Sequence, residues 1–246
     1  MKKRCIIQDL DVAYTDIGTG STILFLHGWG ASAASFESLI EHLPSYRCVA
    51  ISFPGFGGSE RPPQPWGVME YAQFLQNFLA KHAIEPDYVV AHSFGGRVVI
   101  KSLATELIRP KKLVLIAAAG VAKKSMRTRI LALAAKVAKA LTSIPPLILL
   151  RGRLQRLVAS QDYTNAGAMR ETFIKVINEN LEPDAAQISI PTLLLWGELD
   201  TQTPLSEART LQARIQNTQL VVKPGADHFI HEEYPDYVAK HIKDFL

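Results

Sequence analysis

The sequence is poor in cysteine and has no long hydrophobic run. Its two cysteines, Cys5 and Cys48, offer neither a disulfide framework nor the ligand spacing of a metal site. No window approaches the roughly 18 apolar residues that a membrane-spanning helix needs. The basic start, MKKRCIIQDL, lacks the apolar stretch that follows the charges of a signal peptide. We therefore expect a cytoplasmic protein with no disulfide, metal or cofactor.

Acidic residues are absent from residues 121–160, although the chain has 23 of them in 246 residues. This segment contains nine basic residues: Lys123, Lys124, Arg127, Arg129, Lys136, Lys139, Arg151, Arg153 and Arg156. No nucleic-acid recognition motif accompanies the charge, so we expect no nucleic acid as a partner. The segment is either a solvated helix face or a surface for an anionic substrate, an acidic carrier protein or a lipid.

What the sequence does contain is a series of short, continuous apolar runs that alternate with helical patterns. Continuous runs are typical of parallel strands that are covered on both faces. The runs lie at 21–30, 46–55, 86–96, 111–120 and 191–200, and the helical patterns at 33–43, 69–82, 96–107, 205–214 and 236–246. RCIIQDLDVAYTDIG reads as an antiparallel strand pair, and QLVVKPGADHF as the last strand. The alternation predicts an α/β fold with a doubly wound, mostly parallel sheet.

The alternation stops between residues 121 and 186. Within this range RTRILALAAKVAKALT is amphipathic, and Pro145 and Pro146 end that helical pattern. We interpret 121–186 as a helical cap that is inserted into a core domain formed by 1–120 and 187–246.

A serine in the stretch YVVAHSFGGRVV indicates where chemistry could occur. Ser93 follows an apolar run and precedes a helical pattern, which is the context of a nucleophile elbow. Such a serine sits on a strained turn, so the residues two before and two after it must be small. Ala91 and Gly95 meet that requirement, although Ala91 replaces the first glycine of the usual G-x-S-x-G pattern.

A serine nucleophile needs a base and an acid, and both residue types follow later strand ends. PGADHFIHEEYP supplies His228, and LLLWGELDTQTP supplies Asp200. Two other carboxylates remain open as the acid. Glu198 lies two residues closer to its strand, and Asp227 adjoins His228, although neighbouring side chains on an extended segment point apart.

The stretch FLHGWG supplies a loop after the third predicted strand, and this loop is a further element of the site. The Trp29 N–H can pair there with the Phe94 N–H to form an oxyanion hole, which typically contributes a few kcal/mol to transition-state stabilisation. We expect His27 and His92 to be structural, and His228 rather than His231 to be the base.

These motifs resemble those of α/β-hydrolase-fold proteins of the compact, cap-bearing group. Five features carry the resemblance in order: His27-Gly28, the PGFGGS turn at 54–59, the elbow, the strand end at Asp200, and His228. It covers about residues 10–246 except the cap. It implies a serine hydrolase, above all a carboxylesterase, that acts through a Ser93–His228–Asp200 triad and an acyl-enzyme. Ser52 stands where the family commonly has an aspartate that braces the loop.

Other members of the resembled family leave two alternatives open. Some cleave C–C bonds of ring-fission diketones, and a menaquinone-pathway lyase uses the same triad as a base. Both hold carboxylate substrates with arginines, for which Arg97 and Arg170 are the candidates. A receptor-like, non-catalytic binder is the alternative from another class. A serine at the elbow argues against haloalkane dehalogenases and epoxide hydrolases, which use aspartate there.

Overall fold

The computed structural model describes residues 2–121 and 167–246, and its strands form one eight-stranded sheet. The strands are Lys2–Ile7 (β1), Leu10–Ile17 (β2), Thr22–Leu26 (β3), Arg47–Ile51 (β4), Tyr88–His92 (β5), Lys112–Ile116 (β6), Thr192–Gly197 (β7) and Thr218–Lys223 (β8). Their order is β1-β2-β4-β3-β5-β6-β7-β8. The pairs β1–β2 and β2–β4 are antiparallel, and the remaining pairs are parallel. The predicted sheet is confirmed.

The burial of the central strands explains why their sequences are continuously apolar. All five residues of β3 and all six of β7 are buried, because helices cover both faces of the sheet. In the parallel register Leu26 lies beside Ala91, and His92 lies beside Ile116. The carboxyl ends of β3, β5 and β6 are therefore level at one edge, which is where parallel sheets carry their sites.

The helices lie close to the predicted ranges. They are Glu37–Glu41 (α1, preceded by a 3-10 turn at Ala33–Phe36), Val68–Lys81 (α2), Phe94–Ala104 (α3), Arg170–Asn178 (α4, preceded by a 3-10 turn at Gly167–Met169), Glu182–Ala185 (α5), Leu205–Arg214 (α6), Ile230–Glu233 (α7) and Pro235–Phe245 (α8). One start differs. Helix α3 begins at Phe94 rather than at 96, because its two glycines lie inside the helix, where they allow close packing.

The described part of the predicted cap, 167–186, is helical and packs against the core. The Thr172 hydroxyl accepts from the Trp66 N–H at 3.2 Å, Lys175 Nζ donates to Pro65 O at 2.7 Å, and the Leu181 N–H donates to Gly120 O at 2.9 Å. The predicted amphipathic helix and the nine basic residues lie outside the described residues. No helix within 2–121 and 167–246 has the length and apolar composition to cross a bilayer.

Candidate active site

Ser93 lies on a strained turn between β5 and α3. Its φ of 47° and ψ of −108° are unusual for a residue with a side chain. Three hydrogen bonds hold this conformation: the Ser93 N–H donates to Ile116 O at 3.1 Å, and Ser93 O accepts from the N–H groups of Gly96 and Ala119, both at 3.0 Å. The turn matches the predicted elbow.

Two glycines make room for the turn. A methyl group added to Gly95 would lie 2.2 Å from Leu26 O, which is too close for any side chain at this position. A methyl group on Gly28 would lie 2.7 Å from His92 Nδ1 and 3.3 Å from Ser93 Cβ. The loop after β3 thus lies directly against the elbow, and only residues without a side chain fit between them.

His228 and Asp200 form a buried pair beyond β8 and β7. His228 Nδ1 lies 2.8 Å from Asp200 Oδ2, and both side chains are almost fully buried. The other two carboxylates are bound to backbone amides instead. Glu198 Oε2 accepts from the Gly225 N–H at 3.0 Å, and Asp227 Oδ1 accepts from the His228 N–H at 2.7 Å. The structure therefore brings Asp200, and neither rival, to the imidazole ring.

The His228 ring also lies close to the elbow. Its centroid is 4.8 Å from that of His92, the residue before Ser93, and His92 Nε2 lies 3.2 Å from His228 O. With Nδ1 held by Asp200, Nε2 is the ring nitrogen left for chemistry. The elements β5, β7 and β8 thus bring the three predicted residues to one edge of the sheet.

The Trp29 and Phe94 amides satisfy a requirement of the predicted oxyanion hole. Within residues 2–121 and 167–246, neither N–H donates to a protein acceptor. Phe94 is the first residue of α3, and the first N–H groups of a helix carry partial positive charge. The Gly95 N–H donates to His27 O at 3.0 Å, which ties the two amide-bearing segments together.

Comparison with known proteins agrees with this architecture. A sequence profile of the Alpha/beta hydrolase family matches residues 23–241. The chain belongs to this family.

Relatives of this alpha/beta hydrolase are spread over several activities. It is 27% identical over 257 residues to the uncharacterized hydrolase YugF of Bacillus subtilis, covering 92% of this chain and 89% of the other. It is 26% identical to 2-hydroxy-6-oxononadienedioate/2-hydroxy-6-oxononatrienedioate hydrolase 1 of Pseudomonas putida, covering 97% and 92%. A solved bacterial membrane phospholipase A superposes with a TM-score of 0.78 at 25% identity, covering 100% and 85%. The family relationship supports a hydrolase.

His27 and Ser52 brace the loops of this alpha/beta hydrolase. His27 Nδ1 lies 2.7 Å from Gly28 O, and Nε2 accepts from the Phe53 N–H at 2.9 Å, so the backbone selects one neutral tautomer. Burial lowers the pKa of His27 to about 4. Ser52 Oγ accepts from the Ala33 N–H at 3.1 Å. The serine thus still braces the loop at the position where an aspartate is common.

His92 and His231 form a buried pair of tilted rings beside His228. Their centroids are 4.2 Å apart, and the His231 ring also contacts Phe36 at 5.1 Å. His92 Nδ1 and both His231 ring nitrogens have no hydrogen-bond partner among the described residues. Burial lowers the pKa of His231 to about 3 and that of His92 well below its ordinary value. Their place fits the structural role that we predicted for His92.

The two arginines that were candidates for carboxylate binding differ in their surroundings. Arg97 is buried, and its Nη1 donates to the carbonyl oxygens of Val176 and Glu179, both at 2.9 Å. These contacts commit Arg97 Nη1 to the last turn of α4 and the residue that follows the helix. Arg170 is exposed at the start of that helix. The two candidates thus differ: Arg97 is buried with its Nη1 bound to backbone carbonyls, whereas Arg170 is exposed.

Sequence reasoning missed Thr203 in this site. Its hydroxyl lies 2.8 Å from Asp200 Oδ2, and its N–H donates to Asp200 Oδ1 at 2.8 Å. The Gln202 N–H also donates to Oδ1, so residues 200–203 form an Asx-type turn. The stretch DTQTP carries a signal for this turn, since an aspartate followed closely by a proline-ended polar loop favours it.

Proposed function

We propose that this protein is a serine hydrolase of carboxylic esters, with Ser93 as nucleophile, His228 as base and Asp200 as the orienting acid. One observation carries the proposal: the buried contact of 2.8 Å between His228 Nδ1 and Asp200 Oδ2, beside the strained elbow of Ser93. A serine hydroxyl becomes nucleophilic when such an oriented imidazole takes its proton.

The reaction follows from these groups. His228 Nε2 accepts the proton of Ser93 Oγ as that oxygen bonds to the acyl carbon. The carbonyl electrons move to oxygen, and the resulting oxyanion accepts from the Trp29 and Phe94 N–H groups. Collapse breaks the ester C–O bond, and the alcohol leaves with the proton from His228. Water repeats the sequence on the acyl-enzyme, giving the acid and free Ser93.

Aromatic rings beside the elbow favour an apolar group on the substrate. The half-buried Trp29 ring contacts Phe56, Phe94 and Phe173 at centroid distances of 4.8, 5.5 and 4.9 Å. Phe229, the residue after His228, is 38% exposed. This lining suits small to medium acyl or alcohol groups.

The arginine contacts favour an ester over the diketone alternative. The Pseudomonas relative is named for a dioate, which carries two carboxylates, and Arg97 is the buried arginine that could hold one. Arg97 Nη1 already binds two backbone carbonyls. The similarity to a solved phospholipase A favours an ester as well.

Replacement of Ser93 tests the proposal directly. Ser93→Ala should lower hydrolysis of p-nitrophenyl esters by about three or more orders of magnitude, because triad members act as a unit. Ser102→Ala is the matched control. Ser102 is a buried serine of helix α3, which follows the elbow. Its hydroxyl donates to Val98 O at 2.8 Å, and its loss should leave turnover near that of the wild type.

A fluorophosphonate probe separates an enzyme from a non-catalytic binder. We expect stable labelling of Ser93 in the wild type and none in Ser93→Ala. A panel of p-nitrophenyl esters of rising chain length, run beside ring-fission diketones, then identifies the bond that is cleaved. Turnover of the diketones alone would contradict the ester proposal, and the absence of labelling would contradict the triad.

A further inference from the structure

The loop after Asp200 contains a threonine whose polar atoms all have partners. Besides its N–H bond to Asp200, Thr203 O accepts from Trp196 Nε1 at 2.7 Å. Its hydroxyl has three neighbours: Asp200 Oδ2 at 2.8 Å, Ala117 O at 3.0 Å and His228 Nδ1 at 3.3 Å. The side chain is therefore fixed from both its backbone and its hydroxyl.

The hydroxyl cannot satisfy all three neighbours in the same way. It has one proton to donate and two lone pairs that accept. Ala117 O and Asp200 Oδ2 both compete for that proton, whereas a protonated His228 Nδ1 can only donate. The shorter distance, 2.8 Å to Asp200 Oδ2 against 3.0 Å to Ala117 O, favours donation to the carboxylate. A lone pair of the hydroxyl is then left to face His228 Nδ1 at 3.3 Å.

Ala117 connects this hydroxyl to the elbow. It follows β6 with a φ of 44°, an unusual conformation for alanine, and its N–H donates to Leu195 O at 2.9 Å. Two residues further on, the Ala119 N–H donates to Ser93 O at 3.0 Å. The segment 117–119 therefore contacts Thr203 at one end and the elbow at the other.

We propose that Thr203 is a positioning residue that holds the Asp200–His228 pair in register with Ser93. This inference rests on the proposed function. The amides of 202 and 203 hold Asp200 Oδ1, whereas Oδ2, the oxygen that faces His228, depends on the Thr203 hydroxyl for a further hydrogen bond. Loss of the hydroxyl removes that bond from Oδ2, the oxygen that faces the ring, and so leaves the ring less well oriented.

Thr203→Val tests the hydroxyl, because valine keeps the shape of the side chain. We expect kcat/KM for p-nitrophenyl esters to fall about 10- to 100-fold, mainly through kcat, since hydrogen bonds to charged groups are the strong ones. Thr203→Ser should restore most of the rate. The matched control is Thr192→Val. Thr192 is also buried, and among the described residues its hydroxyl donates to one carbonyl, that of Ile190 at 3.0 Å.

A double-mutant cycle separates positioning from a general structural role. In the Asp200→Asn background, Thr203→Val should cost less than about twofold, because the oriented carboxylate is already lost. An equal loss of rate in both backgrounds, or near wild-type activity of Thr203→Val, would overturn the proposal. Urea unfolding of each variant shows whether a loss of rate reflects unfolding.

A second measurement does not depend on activity. The low-field NMR signal of the His228 Nδ1 proton, assigned by its absence in His228→Gln, should exchange with water faster in Thr203→Val than in the wild type or in Thr203→Ser. Unchanged exchange in Thr203→Val would contradict the positioning role. If the wild type neither hydrolyses esters nor reacts with the fluorophosphonate, the proposed function fails, and this measurement still tests Thr203.

Discussion

At the scale of single residues, the site depends on which carboxylate oxygen faces the Nδ1 atom of His228. Asp200, Glu198 and Asp227 lie within a few residues of strand ends, and all three accept a backbone N–H. Asp200 alone among them has its second carboxylate oxygen against His228 Nδ1 within the described part of the chain. Geometry therefore separates three acids that have the same chemistry.

Substitution of each acid by its amide should reveal this difference. Asp200→Asn keeps the shape of the side chain but offers the ring an amide, which favours the wrong tautomer, so we expect kcat to fall about 10³- to 10⁴-fold. Asp227→Asn and Glu198→Gln should stay within a few-fold of the wild type. Steady-state kinetics with one p-nitrophenyl ester measures all three. Severe loss in Glu198→Gln or Asp227→Asn instead would assign the acid to that residue.

At the scale of elements, α3 does more than carry the elbow. Its buried Arg97 binds the carbonyl oxygens of Val176 and Glu179, and its Lys101 forms ion pairs with Glu179 at 3.0 Å and Asp184 at 2.6 Å. Burial lowers the pKa of the Arg97 guanidinium, and the carboxylates of Glu207 and Glu179 oppose that shift. Helix α3 thus fastens the end of α4 and the residues that follow it to the core.

Arg97→Met should loosen this attachment. One buried and one half-buried carbonyl would lose a charged donor, so we expect a loss of about 2–4 kcal/mol in the free energy of unfolding, measured by urea denaturation. The exposed Arg109→Met is the control. The ratio of KM for a carboxylate-bearing ester to KM for a neutral ester should not change. If KM rose for the anionic ester alone, Arg97 would be a substrate-binding residue, and its proposed structural role would be contradicted.

At the scale of the whole molecule, the core holds several histidines in the neutral state. His27, His92 and His231 are all buried, and burial lowers the pKa of each. In the unfolded chain a histidine titrates near pH 6.5, so the unfolded state binds more protons than the folded state just below that pH. The free energy of unfolding must therefore fall as the pH falls through this range.

Urea denaturation at pH 7.5 and 5.5 measures this dependence. Each buried histidine should contribute about 1.4 kcal/mol, so the three together should lower the free energy of unfolding by about 4 kcal/mol. His231→Leu should remove about one third of that difference, whereas the exposed control His42→Leu should keep it. Glu232 lies next to these rings, with its Oε1 3.6 Å from His231 Nε2. Because burial raises the pKa of this carboxyl group, its protonation favours the folded state and opposes the loss of stability at low pH. The same difference in His231→Leu as in the wild type would contradict the argument.

The periodicity and spacing of the sequence predicted the strands and helices of this molecule well, but they predicted few of its side-chain contacts. The continuous run in β3 predicts a strand that is buried on both faces, and its five buried residues confirm this. The predicted start of α3 was wrong. In the sequence Gly95 and Gly96 read as a turn, whereas in the structure they lie inside the helix and let it pack closely against its neighbours. The partners of Arg97 come from about 80 residues away, so no local pattern signals them.

The contact between Gly95 and Leu26 O has a consequence for laboratory evolution. Since one added methyl group would lie 2.2 Å from that oxygen, a substitution of Gly95 cannot retune specificity without disrupting the elbow. Leu199 and Phe229, each next to a proposed triad residue, are 58% and 38% exposed. A mutant library directed at these two rim positions leaves the elbow intact, so new substrate preferences should emerge there first.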